Sequence, residues 1–365
     1  MEKLLIDICR IQYGYAFDSA KFSLDEGTPL IRIRDVIRGY SETYTTEKCG
    51  DEYIVQDGDM LIGMDGEFNI ARWNGGKAYL NQRVCRLIPT NDVDALYLFY
   101  FMPKALKAIE EKTPFVTVKH LSAKELNKII VPLPEPKEQR EIALNLQKVD
   151  DLISLRKQQL AKLDELVKAR FVELFGDPIL NQKGFPVYRM DEVVEFQGGS
   201  QPDKKYFEYE PTEDNIRLIQ IRDYKTDKYI TYIPKSMAKR FCTADDIMIG
   251  RYGPPIFQIL QGIEGSFNVA LMKATPKIGN REFIRQFLKQ DCLLEYLEGL
   301  SKRTAGQDGI QMDKLKGYPF PMPPIELQEE FERFVKQTDK SKLTIQKSLD
   351  KLETLKKSLM QKYFD

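Results

Sequence analysis

The side chains best suited to chemistry in this sequence are arginines, lysines and amides in its polar loops. Arginine can donate a fork of hydrogen bonds to guanine, and asparagine or glutamine can pair with adenine. Such groups read base edges when a rigid frame holds their loops, whereas lysine suits phosphate. The alternative is that they are solvated loop charges. The candidate nucleic-acid contacts are Arg32, Arg72, Asn74, Lys119, His120, Lys204, Lys205, Lys225, Arg251, Tyr252, Gln258, Arg303 and Gln307.

Motifs that would support catalysis are weak. His120 is the only histidine, and no partner that would make it a general base is visible. Asp203 with Asp223 and Lys225 fits a short nuclease pattern, but its counterpart in an earlier part of the chain lacks the lysine. The run 253–257 resembles an adenine-methyltransferase motif without its amide or carboxylate, and no glycine-rich cofactor motif accompanies it. We therefore expect no catalytic residue, metal site or cofactor in this chain.

Composition indicates an ordinary globular protein with more than one domain. The 365 residues are 42% hydrophobic, and 55 basic side chains balance 55 acidic ones. Any nucleic-acid surface must therefore come from local clustering of charge. The five cysteines are widely spaced without a CxxC pair, which is typical of free thiols in a reducing compartment. No signal peptide or membrane span is visible, so we expect a cytoplasmic protein.

A long helix in the middle of the chain is the element that must position these loops. From Pro136 to Pro178, apolar residues recur at steps of three and four, and charges fill the gaps. A helix of roughly 58 Å is too long for the core of a small domain, so its apolar seam needs a partner. The seam residues, including those of a second helix described next, are Leu146, Val149, Ile153, Leu160, Leu163, Val167, Val335, Ile345, Leu349, Leu352 and Leu359.

The partner comes from an internal repeat. The run Leu30–Asp35, which alternates like a strand, returns as Leu218–Asp223, and the second copy also ends in a long helix, from about Glu326 to Phe364. Other matched pairs, at a nearly constant offset, are Gln12 and Gln197, Gly14 and Gly199, Asp59 and Asp246, Asn81 and Asn268, and Gln139 and Gln328. The chain is therefore a duplicated unit of a globular module followed by a helix.

Residues that select different ligands should lie where the two copies differ. The sharpest contrasts are Arg72 and Asn74 against Arg251 and Gln258, and Lys119 and His120 against Gln307 and Asp308. Arg34 and Arg222 precede an aspartate in both copies. This shared position predicts a framework ion pair for each of them.

These observations predict an α+β fold. Two similar globular domains, 1–135 and 179–320, are joined by a central helix, 136–178, and a C-terminal helix, 321–365. The helices should pair as an antiparallel coiled coil, which relates the domains by a pseudo-two-fold axis. Two similar heads at a fixed separation suit duplex DNA, and their different loops predict an asymmetric, bipartite target.

At this point the chain resembles the specificity subunits of type I restriction–modification systems over its full length. The resemblance rests first on the arrangement of two variable domains alternating with two helices. It rests also on two short motifs: the run Phe171–Pro178, and Pro132–Pro134 before Gln139, which is repeated at Pro321–Pro323. The resemblance implies that each globular domain is a target-recognition domain reading half of the DNA target in the major groove. It also implies that the helix pair sets the spacer.

The resemblance further implies partners. Two adenine-N6 methyltransferase subunits would dock on the helix pair, and a motor–nuclease subunit would complete the complex. S-adenosylmethionine, magnesium and ATP would bind those partners only. Glu329 stands where the first copy has Arg140, so the two methyltransferase contacts need not be identical. The alternatives are a two-headed protein–protein adaptor, a nuclease or fused modification enzyme, and the specificity subunit of a related, non-type-I restriction system.

Overall fold

The two long helices predicted from the repeat are present in the structure. It is a computed structural model that describes residues 1–113, 119–252, 256–301 and 310–364. The chain forms two compact units, to each of which both long helices contribute. The first unit contains residues up to Gln158 and those from Gln346 onward, and the second contains Gln159–Ile345. The four domain boundaries given above remain a prediction.

The first unit contains short strands in three sheets, with helices between them. Its elements are β1 (Glu2–Leu4), α1 (Leu5–Ile8), β2 (Cys9–Tyr13), β3 (Phe22–Ser23), β4 (Thr28–Ile31), α2 (Ile33–Arg38), β5 (Tyr44–Thr45), β6 (Ile54–Val55), β7 (Met60–Gly63), β8 (Asn69–Arg72), β9 (Ala78–Leu80), β10 (Val84–Pro89), α3 (Ala95–Lys112), α4 (Ala123–Asn127), β11 (Ile130–Pro132) and the long α5 (Pro136–Phe175). Short 3-10 helices occur at Ser19–Lys21 and Asp51–Tyr53.

The second unit repeats this order of elements. They are β12 (Val187–Arg189), α6 (Met190–Val193), β13 (Val194–Gly198), β14 (Asn215–Ile219), β15 (Tyr232–Pro234), β16 (Phe241–Cys242), β17 (Ile247–Gly250), β18 (Gln258–Gln261), β19 (Gly265–Phe267), β20 (Leu271–Pro276), α7 (Arg281–Leu288), α8 (Asp291–Ser301), α9 (Met312–Lys316), β21 (Pro319–Pro321) and the long α10 (Ile325–Phe364). The 3-10 helices are Lys204–Tyr206, Ile221–Tyr224, Asp227–Tyr229 and Lys235–Met237.

The strands of the two units correspond one to one in their sheets, except that β3 has no counterpart in the second unit. An antiparallel sheet of order β2-β10-β7-β8 in the first unit matches β13-β20-β17-β18 in the second. A mixed sheet around β4 and its parallel neighbour β9 matches one around β14 and β19. The pairs β1-β11 and β12-β21 also correspond. The α+β class and the internal repeat are therefore confirmed.

Within each unit the long helices run antiparallel. In the first unit, Lys356 Nζ lies 2.6 Å from Asp150 Oδ1, and Arg156 Nε donates to Ser348 Oγ at 3.2 Å. The second unit pairs a later stretch of α5 with an earlier stretch of α10, since Lys342 Nζ lies 2.6 Å from Asp164 Oδ1. The predicted seam residues are buried or half-buried.

A buried glutamine joins each long helix to the module before it. In the first unit, Gln139 Oε1 accepts the Asp94 N–H at 2.9 Å, and its Nε2 donates to Pro134 O. In the second unit, Gln328 Oε1 accepts the Asn280 N–H at 2.7 Å, and its Nε2 donates to Pro323 O. Asp94 and Asn280 cap α3 and α7, so each glutamine fixes the start of a module helix.

Among the residues that the structure describes, no helix is long and apolar enough to cross a bilayer.

Candidate nucleic-acid interface

Each unit contains a turn in which a glycine lies directly against an asparagine carbonyl. A Cβ on Gly14 would lie 2.0 Å from Asn81 O, and one on Gly199 would lie 1.9 Å from Asn268 O. No other residue permits this approach without displacing the turn. The turn at Gly199 opens the loop that carries the candidate contacts Lys204 and Lys205.

The predicted strand over Leu30–Asp35 is wrong in its second half. β4 ends at Ile31, and α2 follows because the buried Asp35 carboxylate accepts the Arg32 N–H at 2.9 Å and caps the helix. Asp223 caps the matching 3-10 helix by accepting the Gln220 N–H at 3.1 Å. Arg32 is therefore exposed at the start of a helix and does not lie on a strand.

The arginines before these aspartates belong to the frame. Arg34 Nε lies 3.7 Å from Asp35 Oδ1, and Arg222 Nε lies 4.0 Å from Asp223 Oδ1, so both predicted ion pairs are confirmed. Each arginine also donates to a threonine hydroxyl, at 3.3 and 3.0 Å. Burial raises the pKa of both aspartates, while the capped N–H groups and the arginines act in the opposite direction.

His120 belongs to a cluster with Asp65 and Arg83, which we call the histidine cluster. His120 Nδ1 lies 2.6 Å from Asp65 Oδ1 and 3.2 Å from Arg83 Nη1, and Arg83 Nε lies 3.7 Å from Asp65 Oδ2. The side chains of His120 and Arg83 are 46% and 52% exposed. Arg83 also has a φ of 73°, a strained value for a residue with a side chain. The cluster thus presents a half-exposed guanidinium that is paired with a carboxylate.

The second unit places different groups at the corresponding positions. Arg251 N donates to Ala270 O at 2.9 Å, as Met64 N donates to Arg83 O in the first unit. This register makes Ala270 the counterpart of Arg83, and it makes Arg251 the counterpart of Met64. The Arg251 guanidinium lies 5.4 Å from the ring centroid of the exposed Tyr252, within the range of a cation–π contact.

The structure does not bring Arg72 and Asn74 to the histidine cluster. In the β7–β8 hairpin, Asn69 pairs with Gly63 at the end that leads into the cluster, whereas Arg72 lies at the opposite end. Asn74 Oδ1 occupies the place that a Cβ of Gly39 would need. These two candidates therefore belong to a separate part of the same module.

The predicted contrast of Arg72 and Asn74 with Arg251 and Gln258 is wrong. Gln258 opens β18 as Asn69 opens β8, each opposite the glycine that ends the preceding strand. Gln258 therefore corresponds to Asn69. Likewise, Arg251 precedes the second strand of its hairpin, whereas Arg72 ends the equivalent strand. Hairpin loops of unequal length hide this register in the sequence.

The lysine candidates have different surroundings. Lys119 turns back toward α3, where its Nζ donates to Glu110 O at 2.8 Å. The 3-10 helix Lys204–Tyr206 is more exposed, and Lys205 Nζ lies 5.0 Å from the ring centroid of the tyrosine in that turn. Lys225 is exposed at the end of another 3-10 helix. Arg303 and Gln307 lie outside the described residues.

Sequence reasoning missed Arg83. A single arginine in a polar turn before a strand carries no periodic signal, and its partners Asp65 and His120 are distant in the sequence. The only available signal was its place between two residues matched in the repeat, Asn81 and Pro89.

The groups that resembled catalytic motifs have structural tasks. Asp203 accepts the Lys205 N–H, and Asp223 caps a helix, so both carboxylates of the nuclease-like pattern hold local backbone. In the part of the chain that the structure describes, no three His, Cys, Asp or Glu residues are grouped so as to hold a metal ion. All five cysteines are free thiols, and burial raises the pKa of Cys85 to about 12.

Comparison with known proteins gives consistent matches. The family model described as "Type I restriction modification DNA specificity domain" matches residues 1–165 and 182–356. The type I restriction enzyme EcoBI specificity subunit of Escherichia coli is 27% identical over an alignment of 407 positions, which covers 98% of this chain and 84% of that protein. The MjaVIII specificity subunit of Methanocaldococcus jannaschii is 24% identical, and the alignment covers 91% of this chain and 87% of that protein.

Solved structures share the fold over the whole chain. The type I restriction–modification S subunit from M. genitalium aligns with a TM-score of 0.60 at 14% identity, covering 100% of this chain and 96% of that one. A chain from a structure of type I complex assembly and conformational transition aligns with a TM-score of 0.54 at 16% identity, covering 100% and 97%. Because the family model matches both halves of the repeat, this chain belongs to the family of type I restriction–modification specificity subunits.

Proposed function

We propose that each module reads one half of an asymmetric, bipartite DNA target, and that the chain itself is not catalytic. The observation that supports this most directly is the contrast between a repeated frame and unrepeated polar groups. Both units share the glycine–asparagine turn, the capping aspartate and the buried glutamine. Yet one presents Asp65, Arg83 and His120 where the other presents Arg251 and Tyr252.

The chemistry of these groups suits base recognition. A guanidinium donates in a planar fork that matches the O6 and N7 atoms of guanine. In the first unit the Asp65 carboxylate lies beside both Arg83 and His120, and an arginine that is already paired loses less entropy when it is ordered on DNA. In the second unit, Arg251 packs beside Tyr252 and is half-buried. Lys204, Lys205 and Lys225 add exposed positive charge suited to phosphate.

The helix pair is proposed to set the spacer and to dock two adenine-N6 methyltransferase subunits. Leucines stay exposed on α5 and α10 in both units, including Leu155 and Leu355 in the first and Leu166 and Leu343 in the second. Exposed apolar side chains along a paired helix favour partner binding. S-adenosylmethionine would bind the methyltransferases, and magnesium and ATP would serve a motor–nuclease subunit.

The test combines binding and methylation. The chain is purified with the methyltransferase subunits, and adenine methylation of a host genome is mapped to give the target. We expect a split motif, and a gel shift that strengthens when the methyltransferase is added. The proposal would be abandoned if methylated sites were continuous, or if DNA with both half-sites scrambled bound equally well.

A further inference from the structure

A single position after the mixed sheet carries different side chains in the two units. Arg32 follows β4 and Gln220 follows β14, and each directly precedes a short helix. The Asp35 carboxylate accepts the Arg32 N–H at 2.9 Å, and the Asp223 carboxylate accepts the Gln220 N–H at 3.1 Å. The backbone angles are also similar, with φ and ψ of −100° and 167° at Arg32 and of −123° and 160° at Gln220. Arg32 and Gln220 therefore correspond, and we call them the paired position.

The main chain behind the paired position is the same in both units. The Leu30 N–H donates to Thr43 O, and the Leu218 N–H donates to Thr231 O, both at 2.8 Å. Thr43 and Thr231 are buried and lie at equal sequence distances from the paired position. A repeated main chain with a changed side chain is what a contact specific to one half-site requires, because the frame can then approach DNA in the same way in both modules.

The paired position adjoins the hairpin end that leads into the candidate interface. A Cβ on Gly63 would lie 3.2 Å from Ile33 Cγ2, and one on Gly250 would lie 2.8 Å from Ile221 Cδ1. Gly63 ends β7 and Gly250 ends β17. The residue after the paired position therefore packs against the glycine that precedes the histidine cluster in the first unit and Arg251 in the second. A half-site that lies on this end of the hairpin is within reach of the paired position.

The Arg32 side chain is available for a ligand. It is exposed, and among the described residues its guanidinium has no hydrogen-bond or ion-pair partner. The neighbouring arginines are engaged, since Arg34 pairs with Asp35 and Arg38 Nη1 lies 2.9 Å from Glu42 Oε2. A guanidinium donates in a planar fork to the O6 and N7 atoms of guanine. Arg32 can therefore bind guanine from a fixed backbone without breaking a contact within the protein.

Gln220 is suited to a different base. Its Nε2 donates to the buried Thr231 Oγ1 at 3.1 Å, and the side chain is half-buried. An amide carries a pair of N–H groups and a carbonyl, so this bond leaves one N–H and Oε1 unused. These are the groups that bind the N7 and N6 atoms of adenine. The bond to Thr231 also restrains the side chain, which reduces the entropy that binding would cost.

We propose that the paired position reads one base pair in each half-site, with Arg32 on guanine in the first and Gln220 on adenine in the second, both in the major groove. The proposal rests on the proposed function, which supplies the DNA target. It gives each module a reading position besides the histidine cluster and Arg251. The first half-site then contains a G·C pair, and the second contains an A·T pair other than the one that is methylated.

The experiment exchanges the two side chains and measures base preference. Arg32→Gln and Gln220→Arg are each purified with the methyltransferase, and fluorescence anisotropy gives their affinity for target duplexes in which single base pairs are replaced. We expect Arg32→Gln to favour adenine over guanine by about 5-fold to 150-fold at one position of the first half-site. Gln220→Arg should show the reverse change at one position of the second half-site. Thr231 keeps Arg222 as a donor in that variant.

Arg38→Gln is the matched control, because it removes the same charge from the other end of α2 and should leave every base preference unchanged. If Gln220→Arg does not fold, Gln220→Ala replaces it and should lose the preference for adenine. Arg32→Gln that weakens all duplexes by one factor indicates a phosphate contact and overturns the proposal, as do unchanged preferences. A split target with either of these results leaves the proposed function standing. If the wild-type complex has no split target, the proposed function fails, and this proposal fails with it.

Discussion

Replacing Arg83 tests whether the histidine cluster reads bases. Arg83→Ala removes a guanidinium that is 52% exposed and lies 3.7 Å from Asp65. An exposed pair of this kind contributes about 0.2–1 kcal/mol to folding, so stability should hardly change. A bidentate contact with guanine is worth about 1–3 kcal/mol, so affinity for the target should fall about 5-fold to 150-fold.

Two controls separate base reading from phosphate contact. Arg83→Lys keeps the charge but loses the fork, so it should lose nearly as much affinity as Arg83→Ala if Arg83 reads a base. Arg251→Ala changes the corresponding region of the second unit and should act through the other half-site. Affinity is measured by fluorescence anisotropy at fixed salt, because phosphate contacts depend on ionic strength.

The DNA is varied together with the protein. Target DNA is compared with DNA in which only the first or only the second half-site is scrambled. Once the half-site that Arg83 reads has been scrambled, Arg83→Ala should cause no further loss of affinity. If it weakens binding to all three DNAs equally, the contact is with phosphate, and if it weakens none, Arg83 does not touch DNA.

Other changes test the frame. Gln328→Ala leaves the N–H of Asn280 and a proline carbonyl buried without partners, which should cost about 3 kcal/mol in urea unfolding; a fully stable variant would contradict this. Gly14→Ala should weaken binding to the first half-site alone in the anisotropy assay, because a Cβ there would lie 2.0 Å from a carbonyl oxygen; loss through both half-sites would be inconsistent with this. Cys85, with its pKa raised by burial to about 12, should react with Ellman's reagent at pH 8 more slowly than the less buried Cys49; equal rates would argue against the packing. Inserting seven residues at paired positions of both long helices adds about 10.5 Å of helix, so methylome sequencing should show a spacer longer by roughly 3 base pairs; changed half-sites would refute the spacer role.

Periodicity made the architecture predictable, because a seam of this length can only be buried by a partner. The same reasoning failed at Leu30–Asp35, where apolar alternation continues past the end of β4. The helix that follows depends on the Asp35 carboxylate, which accepts the Arg32 N–H. The alternation of apolar and polar residues carries no information about such a helix cap.

Helix breaks were equally hard to foresee. Pro103 lies inside the uninterrupted α3, although proline usually breaks a helix. The equivalent part of the second unit contains no proline, yet it divides into α7 and α8 around Lys289 and Gln290. The presence or absence of proline therefore predicts neither outcome here.

The candidate interface was predictable at the level of loops and only partly at the level of residues. Polar composition identified the loop that holds His120. The contact of that residue with Asp65 and Arg83 depends on strand register and on a backbone conformation that few residues adopt. The length of the β17–β18 hairpin loop misled the alignment of Gln258 for the same reason.

The buried glutamines have a consequence for how such proteins can change their target. Gln139 and Gln328 hold their modules through main-chain atoms: the N–H of a cap residue and the carbonyl of a proline. Main-chain groups are the same in any sequence that follows the same path. A foreign module could therefore be grafted between Met190 and Lys316 and still find its anchor. Under the proposed function, such a graft should change the second half-site while the attachment of the module to the helices stays the same.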